Sequence, residues 1–127
     1  MPQITALYTA LCLLLLLALA VNVVRNRLRH GVSLGDAGNK EVTRAMRTHA
    51  NAAEYMPMVL IALALLELLG GTSTAIHAYG AVFFIGRVLH AVGMNMKPSA
   101  NRWRQAGIVL SWLVMLGLSV QLVVTAL

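Results

Sequence analysis

RTHANAAEYMP, Arg47 to Pro57, runs without interruption into MVLIALALLELLGG, Met58 to Gly71. The first half is polar and charged, whereas the second is apolar enough for the interior of a bilayer. A soluble amphipathic helix would carry polar groups on its wet face along the whole length, and a lipid-facing helix would not carry Arg, Asn and Glu on its entry turns. Ionisable groups in spanning segments cost about 2.5–3.5 kcal/mol each at a helix centre on insertion scales, and they face a bundle interior or a water-filled cavity. The stretch therefore predicts a spanning helix that turns a polar face toward other protein.

The rest of the chain agrees on the solvent. Of 127 residues, 59% are apolar and only 11% charged, unlike an ordinary soluble domain. Crossing roughly 30 Å of hydrocarbon takes about 20 residues at 1.5 Å each. Four windows meet that length, at about 4–24, 48–69, 75–94 and 107–126. The expected fold is an all-α integral membrane protein, one four-helix domain over residues 1–127, with its only sizeable loop between Arg25 and Arg47. ALA at 18–20 resembles a signal cleavage site, but MPQIT lacks a positive n-region and RNRLR follows as a stop-transfer flank, so the first window reads as a span.

Lysine and arginine concentrate in two places. Arg25, Arg27, Arg29, Lys40, Arg44 and Arg47 lie between the first two windows, and Lys97, Arg102 and Arg104 before the fourth; GGTST between the second and third has none. Cytoplasmic loops carry such an excess, so both termini are expected on the non-cytoplasmic side, of the inner membrane if the source is bacterial. The formal charge of +6 serves topology and attraction to anionic headgroups. A nucleic-acid partner is not expected, because no folded soluble surface remains to present the charge. Cys12 stands alone, which excludes an intrachain disulfide and a cysteine zinc site; it reads as core, and no metal is expected.

On a helical wheel Arg44, Arg47, Asn51 and Glu54 fall within about 80°, with His49 opposite. The third window supplies GRVLHAVGM, in which Arg87 and His90, three apart, share a face. Running antiparallel, it sets Arg87 at a depth like that of Glu54, roughly 10 Å in, and His90 level with Asn51. One expectation is a Glu54–Arg87 pair that fixes helix packing, with Asn51 as interhelical glue. The other is a polar pocket open to the cytoplasm, because the pair would leave Arg44, Arg47, Asn51 and His90 unused, a set suited to an anionic, hydrogen-bonding ligand.

These residues also carry a resemblance. RAMRTHANAAEYMP before an apolar run, then GRVLHAVGM, then a basic loop before a fourth helix resembles the membrane-associated proteins in eicosanoid and glutathione metabolism, the MAPEG family, as a bacterial-type member. Its most specific part is Arg47, Asn51, Glu54, Tyr55 and Pro57 at these spacings. The resemblance implies a homotrimer binding glutathione in a cleft between neighbours near the cytoplasmic face. It places binding roles on Arg47, Asn51, Glu54 and Tyr55, on His90, and on one arginine of RNRLR, taken as Arg27. Glutathione carries two carboxylates and one ammonium, so Arg44 and Arg47 are expected to meet carboxylates, Asn51 the peptide portion, and Glu54 either the ammonium or Arg87.

A thiol of pKa near 8.5 is activated by a nearby cation, which favours the thiolate. In the family that arginine precedes the fourth helix. Arg104, just before Gly107, is the expected one and Arg102 the other candidate. One departure stands out: members active on glutathione often carry tyrosine one turn after the His90 position, where this chain has Met94.

Three functions follow. The first is a membrane glutathione transferase or peroxidase acting on lipophilic compounds; the second is a non-catalytic scaffold binding lipid or glutathione. The third, a small multidrug transporter using Glu54, fits poorly, because the surrounding arginines would repel a cation and keep the carboxylate ionised. Glu67 is expected to snorkel at the outer end of its helix, His77 to begin the third, and Gly107 with Ser111 to form a small-residue contact. Tyr8 and Trp112 read as packing or interface residues.

Overall fold

A computed structural model describes residues 1–127 as four helices, α1 Gln3–His30, α2 Lys40–Leu68, α3 Ser73–Asn95 and α4 Arg102–Ala126. All four are long and apolar enough to cross a membrane. They pack around Cys12, Leu19, Met56, Leu63, Phe83 and Leu118, while Leu14, Leu17 and Val124 stay more than half exposed on the outside. Such an outer coat would be an aggregation surface in water and is the ordinary surface of a bundle in lipid.

Three helices outrun their apolar windows at the basic end. α1 continues to His30, α2 begins at Lys40 and α4 at Arg102. An apolar window locates hydrocarbon, whereas a helix continues through the headgroups until a cap stops it. Asn39 accepts from the backbone N–H groups of Glu41 and Val42, and Asn101 from that of Arg104. Gly31, at φ 65°, closes α1 in the left-handed conformation. The expected loop from Arg25 to Arg47 accordingly shrinks to residues 31–39, and the arginines around it ride on helical turns.

Within that short loop, Asp36 accepts from the Gly38 N–H at 3.0 Å and the Thr43 hydroxyl at 2.7 Å, donors that hold its carboxyl below the usual aspartate range. A depressed folded-state value contributes stability above the ordinary range and loses it as pH falls through the lower folded value. Melting curves of wild type and Asp36→Asn should therefore separate modestly at neutral pH and converge on acidification. Curves that stay parallel would deny the turn this role.

Glu67 does not snorkel. Its carboxylate accepts from the backbone N–H groups of Ile4 and Thr5 at 2.9 and 2.7 Å and from the Thr5 hydroxyl at 2.7 Å. Pro2 offers α1 no side-chain cap, so a carboxylate from the far end of α2 caps it instead. Beside it the Tyr8 hydroxyl meets His77 Nδ1 at 3.0 Å and donates to the His77 carbonyl at 3.1 Å.

The closest crossing joins α3 to α4. A methyl on Gly107 would run into the backbone nitrogen of His90 and the carbonyl oxygen of Gly86; one on Gly93 would run into the backbone of Arg104. The two helices touch nearly backbone to backbone, as small residues permit in membranes. This crossing sets Arg104 beside the end of α3.

Candidate functional site

At the basic end of the bundle a recess of about 360 Å³ opens between α2, α3 and the start of α4. α2 contributes Lys40, Thr43, Arg44, Arg47 and Asn51; His90 and Met94 come from α3, with Ser99 and Arg104 from the following turn and α4. Lys40 lies one turn before Arg44, so a single helical stripe supplies one side. Asn101 fixes the other: its amide donates to the carbonyls of Gly93 and Pro98, both at 2.8 Å, and its oxygen caps α4 at Arg104. The Arg104 guanidinium donates to the Ser99 carbonyl at 3.3 Å.

Behind Asn51 stands Arg87, only 2% exposed. Its Nη1 donates to Asn51 Oδ1 at 2.8 Å and its Nε to Ser111 Oγ at 3.0 Å; the group lies 4.8 Å from the Tyr55 ring centroid. The Ser111 hydroxyl donates in turn to the Gly107 carbonyl at 2.9 Å, and Trp112 Nε1 donates to the Tyr55 hydroxyl at 3.1 Å. A guanidinium has only donors, so the asparagine oxygen must face it and the Asn51 NH₂ is left for the recess. Nη2 of Arg87 is buried without a partner.

The lining thus holds four cations, Lys40, Arg44, Arg47 and Arg104, an amide donor and two hydroxyls, and no carboxylate. Such a site selects an anion, preferably one with more than one carboxylate for the arginines to fork onto.

The structure brings together Arg44, Arg47, Asn51, His90 and Arg104 among the expected residues. Arg87 and Tyr55 form the layer behind Asn51. The expected Glu54–Arg87 pair is not made: Glu54 lies 3.7 Å from Arg47, both side chains more than half exposed. The reason is angular. Glu54 stands at the edge of the 80° stripe, next to Arg47, where the helix turns from the recess toward the outer surface. Arg27 is engaged elsewhere, donating to the Ser33 carbonyl at 3.0 Å and to Met46 Sδ at 3.5 Å. Arg102 is exposed, 5.8 Å from the Trp103 ring. Of the two arginines before the fourth span, Arg104 is the one at the recess.

Lys40 reads in the sequence only as part of the basic loop, and Thr43 and Ser99 are not singled out there. Lys40 had a signal, since Asn39 before KEVT is an N-cap pattern that extends the stripe by one turn. Thr43 and Ser99 had none.

Comparison with known proteins bears on the whole of this arrangement. The MAPEG family model matches residues 5–124. The inner membrane protein YecN of Escherichia coli K12 is 34% identical over 114 residues, 90% of this chain and 86% of its own, and the YecN of E. coli O6:H1 gives the same figures. The uncharacterized protein sll1147 of Synechocystis is 36% identical over 89 residues, 69% of this chain and 64% of its own. A match that runs through all four helices, on a chain whose α2 stripe and α3 histidine already meet in one recess, leaves one assignment: the chain is a membrane-embedded member of the MAPEG family.

Proposed function

We propose that this recess binds glutathione at the cytoplasmic face of an inner membrane and activates its thiol toward lipophilic electrophiles that arrive through the bilayer. The observation that carries this reading is the acid-free lining of four cations with the Asn51 amide turned inward. Two carboxylates are held by Arg44, Arg47 and Lys40, and the peptide by Asn51. The thiolate is stabilised by Arg104. Lowering a thiol pKa by two units takes about 2.7 kcal/mol, within reach of one guanidinium in a partly dry pocket. In the reaction the thiol proton passes to solvent, the sulfur forms a bond to the electrophilic carbon, and the leaving group departs with its electron pair. With a lipid hydroperoxide instead, the sulfur attacks the outer peroxide oxygen, the O–O bond breaks to release the alcohol, and a second glutathione converts the sulfenic acid to disulfide and water.

In a homotrimer the exposed Arg47–Glu54 edge faces a neighbouring subunit, and Glu54 takes the ammonium of glutathione across that boundary. The termini lie on the opposite, non-cytoplasmic side, in keeping with the basic bias.

Detergent-purified protein with millimolar glutathione is expected to show thiolate absorbance near neutral pH and conjugation to a reactive aryl halide. Arg47→Ala should weaken glutathione binding about tenfold, the equivalent of ~1.4 kcal/mol. Arg104→Gln should raise the bound thiol's pKa by about one unit, cutting neutral-pH conjugation about tenfold while binding changes less. A protein that binds glutathione but shows neither thiolate nor product would fit a second reading, a non-catalytic binder, favoured by Met94 in the lining where active relatives often carry a phenol. A protein that binds no glutathione ends both.

A further inference from the structure

A second polar recess, of about 310 Å³, lies at the same end of the bundle between α1, α2 and the close of α3. Asn22, Asn26 and Arg29 come from α1 and also line a smaller hollow of about 130 Å³ with Arg25. Glu41 and Arg44 come from α2, Asn95 from the last position of α3 and Lys97 from the segment after it. Asn95 is shared with an apolar groove of about 400 Å³ between α1 and α3, floored by Leu15, Leu19, Val88 and Val92.

The two helices change character in step along this seam. On α1 the residues are Leu15, Leu19, Asn22, Asn26 and Arg29, spaced four, three, four, three, a single helical face that passes from apolar to amide to cation. α3 does the same with Val88, Val92 and Asn95, and Lys97 follows just past its end. From Leu15 to Arg29 the helical rise is about 21 Å, close to half the thickness of a bilayer with its headgroups. We propose that this seam is a binding site for one anionic glycerophospholipid, its acyl chain in the α1–α3 groove and its phosphate among Arg25, Arg29, Arg44 and Lys97.

The chemistry of the recess favours a phosphate ester over a carboxylate ligand. None of these four cations forms a hydrogen bond or ion pair through its side chain with a protein acceptor. The one carboxylate present, Glu41, is already engaged by His30 Nε2 at 3.0 Å. The amide nitrogens of Asn26 and Asn95 are spent on the Asn22 and Ala91 carbonyls, both at 2.8 Å, so each leaves its oxygen free to accept. Cations for a phosphate beside acceptor oxygens for hydroxyls match a headgroup such as that of phosphatidylglycerol. The site is separate from the glutathione recess except at Arg44, which borders both.

Native mass spectrometry of the detergent-purified full chain, titrated with phosphatidylglycerol or phosphatidylcholine, tests this. One phosphatidylglycerol per chain is expected, bound at least tenfold more tightly than phosphatidylcholine. Arg29→Gln with Lys97→Gln should abolish that preference, and Val92→Trp, on an exposed position of the groove, should weaken both lipids alike. Glutathione binding should stay within twofold in both variants, since none of these residues lines its recess. The proposal is overturned if the double glutamine variant keeps the preference, if glycerol 3-phosphate competes as well as the whole lipid, or if no lipid binds at defined stoichiometry.

Discussion

Gly107→Val is expected to lose most of the folded protein, with a melting midpoint in detergent about 10 °C or more below wild type. All the atoms that a new Cβ would meet belong to the opposite backbone, at His90 and Gly86, so no side chain can swing aside. Overpacking of this kind costs typically 1–3 kcal/mol and occasionally more. Even Gly107→Ala, which gains up to about 1 kcal/mol of helix propensity, should come out destabilised. The displacement also reaches the site. Moving α4 outward draws Arg104 from the recess and Ser111 from its 3.0 Å bond with Arg87, so surviving protein should bind glutathione poorly. Gly117→Ala is the control, because its methyl would meet only the Tyr79 ring, which can turn. Equal melting of the two variants would mean that α3 and α4 do not cross this closely.

That crossing marks the limit of what could be read from residues alone. The apolar windows gave the number and course of the helices, because crossing hydrocarbon imposes a length that any sequence must obey. The α2 stripe was equally legible, since a polar residue sunk among apolar ones has to face protein, and the 3.6-residue period says which of its neighbours share that face. The same period blurred the edge of the stripe. Arg44, Arg47 and Asn51 line the recess while Glu54 falls outside it, a distinction of tens of degrees that depends on where α3 lies. Glu67 was out of reach for another reason: it caps a helix more than 60 residues away in the chain, and no local pattern announces a partner at that distance. Gly107 and Ser111 stood out as a small-residue pair, but that Gly93 meets the backbone of Arg104 follows only from the docked helices.

Replacing Arg87 by methionine separates fold from function in the opposite sense. A lone cation in a spanning helix carries an insertion cost of about 2.5–3.5 kcal/mol at the centre, and this one has no acid beside it and one nitrogen without a partner. Its bonds to Asn51 and Ser111 and its contact with Tyr55 offset that cost. Methionine removes cost and compensation together and fills a similar volume with an adaptable chain. Ser111 keeps the Gly107 carbonyl, and Asn51, at the edge of the recess, can turn to water. Thermal stability should therefore fall by no more than about 2 kcal/mol. Glutathione binding should fall about thirtyfold, the equivalent of ~2 kcal/mol, because nothing then holds the Asn51 amide with its NH₂ toward the ligand, and the positive potential behind the recess is gone. Arg87→Lys separates orientation from charge: a single ammonium cannot span Asn51 and Ser111 as the guanidinium does, so binding should be restored only in part. If Arg87→Met instead unfolds the protein while Gly107→Val does not, the bundle is held by this buried cation and not by the contact of α3 with α4.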